Sequence, residues 1–333
     1  MTQPTVGPIT VLSGGVGAAR FLRGVLGSYD ATDVTAIVNV GDDAAMHGLS
    51  VSPDLDTITY TLAGAVNAET GWGLEGETWQ AMSQLRRYAE ANLIDPDAAA
   101  GNDAAGWFSL GDLDLGTHLY RTSRLRAGAT LTEVTDEIAR TWGLELAMLP
   151  VTDDRLQTIV TTVDGRELSF QEYFVREHHE VAVADIRFDG AETARPGPHV
   201  LESIDSARVV CIAPSNPVVS IDPVLAVPGV REAVATARDR TVVVSPIVGG
   251  AALKGPADRL LRELGHEASV VGIARWYAPL AETLVIDTVD VDLAGAVEAE
   301  GMACVVTDTI MSDPAISAQL ARTCIDAAIG ASS

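Results

Sequence analysis

Two stretches bring acids together: Asn39-Val40-Gly41-Asp42-Asp43 and, shortly after, Ser52-Pro53-Asp54-Leu55-Asp56-Thr57. Carboxylate and carbonyl oxygens are the ligands magnesium takes. A metal held there would neutralise a diphosphate and polarise a phosphorus under attack. The competing account is local. Asp54 or Asp56 caps a helix expected to begin near Thr57, and Asp42-Asp43 closes a turn. Capping accounts for one of the four aspartates, not for all.

Further groups could meet a ligand. Ser13-Gly14-Gly15-Val16-Gly17 follows an apolar run and precedes a helical pattern. Glycines Gly14, Gly15 and Gly17 in that place let backbone amides approach a phosphate at the positive end of the helix. The spacing is neither GxGxxG nor a P-loop, and a plain tight turn is the alternative. Gly111-Asp112-Leu113-Asp114 leads to His118 and Arg121, three residues apart on one helix face, with ordinary helix-end chemistry as the alternative. Pro214-Ser215-Asn216-Pro217 fixes a turn beyond a strand, offering Ser215 and Asn216 to a nucleotide base or ribose. Ser245-Pro246 repeats the idea one strand over. Lys254, a rare cation among many acids, is expected either at a phosphate or at the surface. Trp72, Trp79 and Trp107 offer walls for a flat ligand, or core packing.

The elements that must position these groups are those of an α/β protein. Ile9–Leu12, a glycine turn, a helix carrying Phe21, Leu22, Val25 and Leu26, and an apolar strand over Val34–Val40 make a βαβ unit with a parallel sheet. Helices are expected over 57–66, 77–91, 115–127 and 131–142, the last capped by Thr132. The stretch 92–106 is expected to be a mobile surface loop. A hairpin is expected over 157–170, turning at Asp164-Gly165, and 189–198 reads as a loop. Strands follow at 208–213, 241–244, 284–286 and 303–306. The fold class is thus a Rossmann-like, mostly parallel sheet with helices on both faces. It forms one large domain over 1–330, its sheet from about 8–70 and 205–315, with a smaller helical and hairpin region inserted as a cap over about 71–200.

The 333 residues carry a net charge of -24, from 22 basic and 46 acidic side chains, which opposes binding to nucleic acid or anionic lipid. With 47% hydrophobic residues the chain has material for a core. No signal-peptide pattern and no spanning stretch is apparent, so a cytoplasmic location is expected. Cys211, Cys304 and Cys324 form no CxxC pair and read as buried thiols of a reducing compartment.

In order, SGGVGAARFLRG, NVGDDAAMHGLSVSPDLDT, GWGxxxETW, LGDLDLGTH, LPVTDDR, APSNPVVSIDPVLAVPG, SPIVGG and MSDP resemble the 2-phospho-L-lactate transferase family of coenzyme F-420 biosynthesis, most of all its actinobacterial members. The likeness runs from about Thr10 to Pro314. It implies a transferase that moves a phosphoenolpyruvyl or 2-phospho-L-lactyl group from a guanosine diphosphate-linked donor. The acceptor would be the terminal hydroxyl of 7,8-didemethyl-8-hydroxy-5-deazariboflavin, and GMP would leave. It implies magnesium, with Asp42, Asp43 and Asp54 as ligands and Asp54 or Asp56 as a base if one is needed. Gly14, Gly15 and Gly17 would cradle the donor phosphates, with Ser215 and Asn216 on the guanosine part. Thr57, Trp72, Asp112 and His118 would face the deazaflavin. A homodimer is expected.

Two features depart from the family pattern. Leu113 stands where members commonly carry a basic residue, so Arg121 or Lys254 would have to compensate, and 97–105 reads as an insertion. Two other readings use the same fold: a phosphotransferase with another acceptor, and a non-catalytic nucleotide-binding regulator. The clustered aspartates oppose the second. A dehydrogenase is disfavoured by the glycine spacing and by the lack of an acid at the end of the second strand.

Overall fold

Ile9–Ser13 pairs in parallel with a strand on either side of it, and that central position sets the architecture. The computed structural model describes residues 6–90 and 107–331, so the loop expected over 92–106 and the insertion over 97–105 lie outside the described residues. In chain order come β1 (Ile9–Ser13), α1 (Gly15–Leu26) and β2 (Val34–Val38). A small hairpin, β3 (Ala44–Met46) and β4 (Leu49–Val51), leads to α2 (Pro53–Leu62). Then follow α3 (Gln80–Glu90), α4 (Asp114–Arg126), α5 (Leu131–Thr141) and β5 (Ala147–Pro150). Next are β6 (Gln157–Thr162), β7 (Glu167–Ser169), β8 (Val183–Asp189), α6 (Val200–Ser206) and β9 (Val209–Ile212). The chain continues with α7 (Asp222–Ala226), α8 (Val230–Thr236), β10 (Thr241–Val244) and a two-stranded hairpin of β11 (Ile247–Val248) and β12 (Ala251–Ala252). It ends in α9 (Ala257–Glu263), α10 (Val270–Tyr277), β13 (Thr283–Asp287), α11 (Ala294–Ala299), β14 (Ala303–Thr307) and α12 (Pro314–Ala331).

Seven strands form one parallel sheet in the order β14-β13-β10-β9-β1-β2-β5. Every residue of β1, β9, β10 and β13 is buried. That is why these strands read as largely apolar runs rather than alternating ones. From β1 the chain steps through α1 to β2 in one direction. From β9 it steps through α7 and α8 to β10 in the other. Right-handed crossovers therefore place the two sets of helices on opposite faces, and the sheet is Rossmann-like as expected. Helix α12 joins α1 on its face, and the crossing is tight. A β-carbon on Gly24 would lie 2.2 Å from the Ser317 carbonyl oxygen.

Several local expectations are corrected. The helix expected from 57 begins at Pro53, because proline suits the first helical turn. Helix α5 is capped by Thr130, not Thr132: Thr130 and Glu133 form a reciprocal capping box. The expected hairpin is present as β6 and β7, and β8 adds a third, antiparallel strand. Strand β5, from within 71–200, pairs with β2 at the edge of the main sheet. Among the described residues no helix is long and apolar enough to cross a membrane. Cys211 and Cys324 are buried and Cys304 half-buried, all three free.

Candidate active site

The chain leaves β1 and β9 in opposite directions, and the two exits lie side by side at the carboxyl ends of the strands. This is the switch point where open α/β sheets bind ligands. The contact between the exits is close. Ser215 Oγ donates to the Gly14 carbonyl at 2.8 Å, and a β-carbon on Gly17 would sit 2.1 Å from the Pro214 carbonyl oxygen. Glycine at 17 is thus a condition of the loops meeting. Gly14 is similarly confined, by Ser220 and Asp54.

Asn39, fully buried at the end of β2, organises the acids. Its amide nitrogen donates to Asp42 Oδ1 and, at 3.0 Å, to Asp54 Oδ2. Its oxygen accepts from the Gly41 amide at 2.7 Å. Asp54, in the first turn of α2, also accepts from the Gly15 amide at 2.8 Å, joining the acidic cluster to the start of α1. Asp43 accepts from Ser52 Oγ at 2.6 Å, while its Oδ1 is buried without a partner. Burial drives all three carboxyls upward. Asp54 is pushed up to about 6. Asp42 lies well above the usual range through burial and then the charges of Asp54 and Asp43. Asp43 is also well above it, chiefly through burial. Asp42 and Asp54, buried, and Asp43, half-buried with one orphan oxygen, offer the oxygen donors that a hard divalent cation takes, but as placed they do not bring one oxygen each within 4.8 Å of one another.

Asp56, two residues along α2 and so on its other side, belongs to a different group. Arg121 donates to both of its oxygens, one at 3.0 Å. His118 Nδ1 lies 3.7 Å from Asp56 and Nε2 lies 3.3 Å from Asp114. Tyr60 donates to Asp114 at 2.5 Å. Burial alone would raise the Asp114 carboxyl, but His118, Tyr60 and Arg121 outweigh it and hold it low. Among the described residues, Asp56, Asp114 and His118 are the trio whose ligand atoms lie within 4.8 Å of one another. Arg121 already supplies positive charge there. Both Asp56 oxygens are thus engaged by Arg121, and the guanidinium is tied to Asp56 rather than turned toward Leu113.

The remaining expected residues scatter. Asp112 is half-buried and accepts from the Gln80 and Ala81 amides at 2.9 and 3.0 Å, capping α3. In return Glu77 accepts from the Leu113 and Asp114 amides, both at 2.8 Å, capping α4. Thr57 is buried within α2. Ser245 closes a turn onto the Ile247 carbonyl at 2.8 Å, and Asn216 Oδ1 accepts from the Val218 amide at 3.0 Å. Trp72 is 53% exposed on a loop whose Thr70 carbonyl receives Lys254 Nζ at 3.3 Å. Beyond that loop, Ala65, Leu74, Glu75, Leu113 and Trp142 line an open cleft of about 430 Å³. A larger one, about 520 Å³, lies among Phe188, Asp222, His266 and Trp276 and shares no residue with the acidic cluster. Asn39 was not singled out from the sequence, although its place at a strand end between glycine turn and acids was the available signal.

Comparison with known proteins bears on this site. The family model described as 2-phospho-L-lactate transferase CofD matches residues 9–323. A phosphoenolpyruvate transferase of Kitasatospora aureofaciens is 44% identical over 322 residues, covering 95% of this chain and 96% of the relative. One from Nocardia farcinica is 41% identical, covering 98% and 96%. Among solved structures, a UPF0052 family protein of Bacillus halodurans superposes with a TM-score of 0.58 at 16% identity, covering 98% of this chain and 99% of that one. At that identity the likeness is one of fold.

Proposed function

The chain belongs to the 2-phospho-L-lactate transferase CofD family, a phosphoenolpyruvate/2-phospho-L-lactate transferase family of coenzyme F-420 biosynthesis, and from that premise we propose its donor, acceptor and metal. The donor is a phosphoenolpyruvyl or 2-phospho-L-lactyl group joined through a diphosphate to guanosine. The acceptor is the terminal hydroxyl of 7,8-didemethyl-8-hydroxy-5-deazariboflavin. The hydroxyl oxygen bonds to the phosphorus distal to guanosine, the bond from that phosphorus to the bridging oxygen breaks, and GMP leaves with the electron pair. The product is coenzyme F-420-0 or its dehydro form.

The observation that carries this reading is the buried cluster of Asp42, Asp43 and Asp54 around Asn39, placed against the start of α1. Magnesium bound by those carboxylates would supply the positive charge that a diphosphate needs beside so many acids. Backbone amides after Gly14 bind phosphate oxygens at the positive end of α1. Asp54 links the two halves, because it touches both Asn39 and the Gly15 amide, and it is the carboxylate best placed to receive the hydroxyl proton. Phosphoryl transfer depends chiefly on positioning and charge compensation, so holding the two substrates in line is the larger part of the work. Ser215 holds the β9 exit against the phosphate turn, and the guanosine part lies along that exit.

The test is an end-point assay read by mass. The protein, magnesium, the deazaflavin alcohol, GTP and a guanylyltransferase are mixed with phosphoenolpyruvate or with 2-phospholactate. A deazaflavin phosphodiester formed with one acid identifies reaction and donor together. No adduct with either acid, while a related transferase is active in the same mixture, would overturn the acceptor assignment.

A further inference from the structure

Lys254 is the sole lysine of the sequence; every other residue among the 22 Lys and Arg is arginine. In a chain of net charge -24, it pairs with no carboxylate among the described residues. The hairpin that precedes it is held firmly. Lys254 follows β12, and the β11–β12 turn is braced from two sides: the Gly249 amide donates to Asp290 at 2.9 Å and Arg262 donates to the Gly250 carbonyl at 2.9 Å. The side chain is left to reach from a fixed base.

What it reaches is the tip of the loop 67–76. The neck of that loop is closed by the Asn67 amide on the Gly73 carbonyl at 3.0 Å and the Glu75 amide on the Ala65 carbonyl at 2.8 Å. At the tip, Lys254 Nζ donates to the Thr70 carbonyl at 3.3 Å. Gly71 fits between the ammonium and the first turn of α1: a β-carbon there would stand 3.2 Å from Lys254 Nζ and 3.3 Å from Val16 Cγ1. Gly71 also adopts φ +78, a left-handed conformation natural to glycine. The loop tip is thus pinned between a cation and the helix end that offers amides to phosphate, with exposed Trp72 next in sequence.

An ammonium carries three donors, and the Thr70 carbonyl takes one. Resting on the transferase reading above, we propose that Lys254 binds a phosphate oxygen of the donor while keeping its hold on Thr70, and so couples donor binding to the position of the loop 67–76 and its Trp72. The bond to phosphate is charge-assisted and the stronger of the two. The donor therefore tightens the lysine, and the lysine tightens the loop. Arginine is a poorer fit at such a point, since its planar fork favours paired oxygens over one phosphate oxygen and one carbonyl set apart.

With a single lysine, the side-chain target of amine chemistry is unique. The probes are GDP with magnesium, acylation by a limiting dose of acetic anhydride, and peptide mass analysis with the α-amine as internal reference. GDP is expected to slow acylation of Lys254 about fivefold or more while leaving the α-amine unchanged, as expected when a contact excludes the reagent. Lys254→Met is expected to weaken GDP binding about tenfold or more, the scale of a lost charged hydrogen bond. It should also abolish the GDP-dependent part of the tryptophan fluorescence that Trp72→Phe removes. Lys254→Arg should recover part of the affinity and less of the fluorescence change. If calorimetry shows GDP binding to the unaltered protein but acylation is unprotected, or Lys254→Met binds GDP as well as the parent, the coupling is wrong and the transferase reading stands. If GDP does not bind the unaltered protein at all, the guanosine donor fails, and this inference with it.

Discussion

Arg121 of α4 holds both carboxylate oxygens of Asp56 of α2 inside the protein, with 2% and 7% of the two side chains exposed. The pair separates two uses of neighbouring acids. Asp54 faces Asn39 and the start of α1, while Asp56 faces away from them and fastens α2 to α4. Breaking a buried pair leaves one charge uncompensated. Arg121→Met is expected to cost about 3–5 kcal/mol in urea unfolding, and adding Asp56→Asn should restore part of it. A loss below 1 kcal/mol would show that the pair is not a structural tie.

Asp54 should trade in the opposite sense. Its carboxyl is pushed up to about 6 by burial, so an uncharged isostere relieves repulsion among the acids. Asp54→Asn removes that buried charge but leaves one acceptor for two donors, Asn39 and the Gly15 amide, so it is expected to stay within about 1 kcal/mol of the parent in stability while kcat falls about 10²- to 10⁴-fold, the range for a lost proton acceptor. A variant that is both active and unchanged in melting would remove Asp54 from the site.

Gly17→Ala tests the contact of the two strand exits. The new methyl would meet the Pro214 carbonyl at 2.1 Å, and backbone cannot step aside as a side-chain tip can. Overpacking of this kind costs about 1–3 kcal/mol. A raised KM for the donor should accompany it on the proposal that the α1 amides meet the donor phosphates, because α1 can only back away from Pro214 by moving those amides. Stability and donor KM both unchanged would mean that the exits can part freely.

Asp222 gives a pH dependence away from the Asp42, Asp43 and Asp54 cluster. Burial raises it to about 6, against the lowering pull of Arg231 at 3.1 Å. A carboxyl raised on folding contributes stability at pH below its ordinary value and loses that contribution as pH rises through the folded one. With 19% of the side chain still exposed, the effect should be at the low end, about 1–2 kcal/mol. The fall in melting temperature between pH 5 and pH 7 should be smaller in Asp222→Asn than in the parent. Equal slopes would refute the assignment.

The sequence made the central sheet readable because strands buried on both faces must be apolar throughout, as Val209–Ile212 and Thr283–Asp287 largely are. Strand β5 escaped notice because four residues, Ala147–Pro150, are too few to display a period. Asp42, Asp43 and Asp54 were legible as a group from their place after a strand. That Asp56 belongs elsewhere was not legible, since its partner Arg121 lies 65 residues away and local spacing carries no information about such a meeting. Asp112 was ambiguous for a related reason. A carboxylate just before one helix can cap a different one, and Asp112 caps α3 while Glu77 caps α4.

The close crossing of α1 on α12 bears on how the protein is made. Ser28, just beyond α1, donates to the Ala318 carbonyl across 290 residues of chain. At synthesis rates of about 5–20 residues per second, roughly 15–60 s pass between the appearance of one partner and the other. Throughout that interval the apolar side of α1, with Phe21, Leu22 and Val25, has no α12 to cover it. The nascent chain should therefore present a chaperone-binding segment near its start, and a stall anywhere before residue 314 should leave that segment exposed.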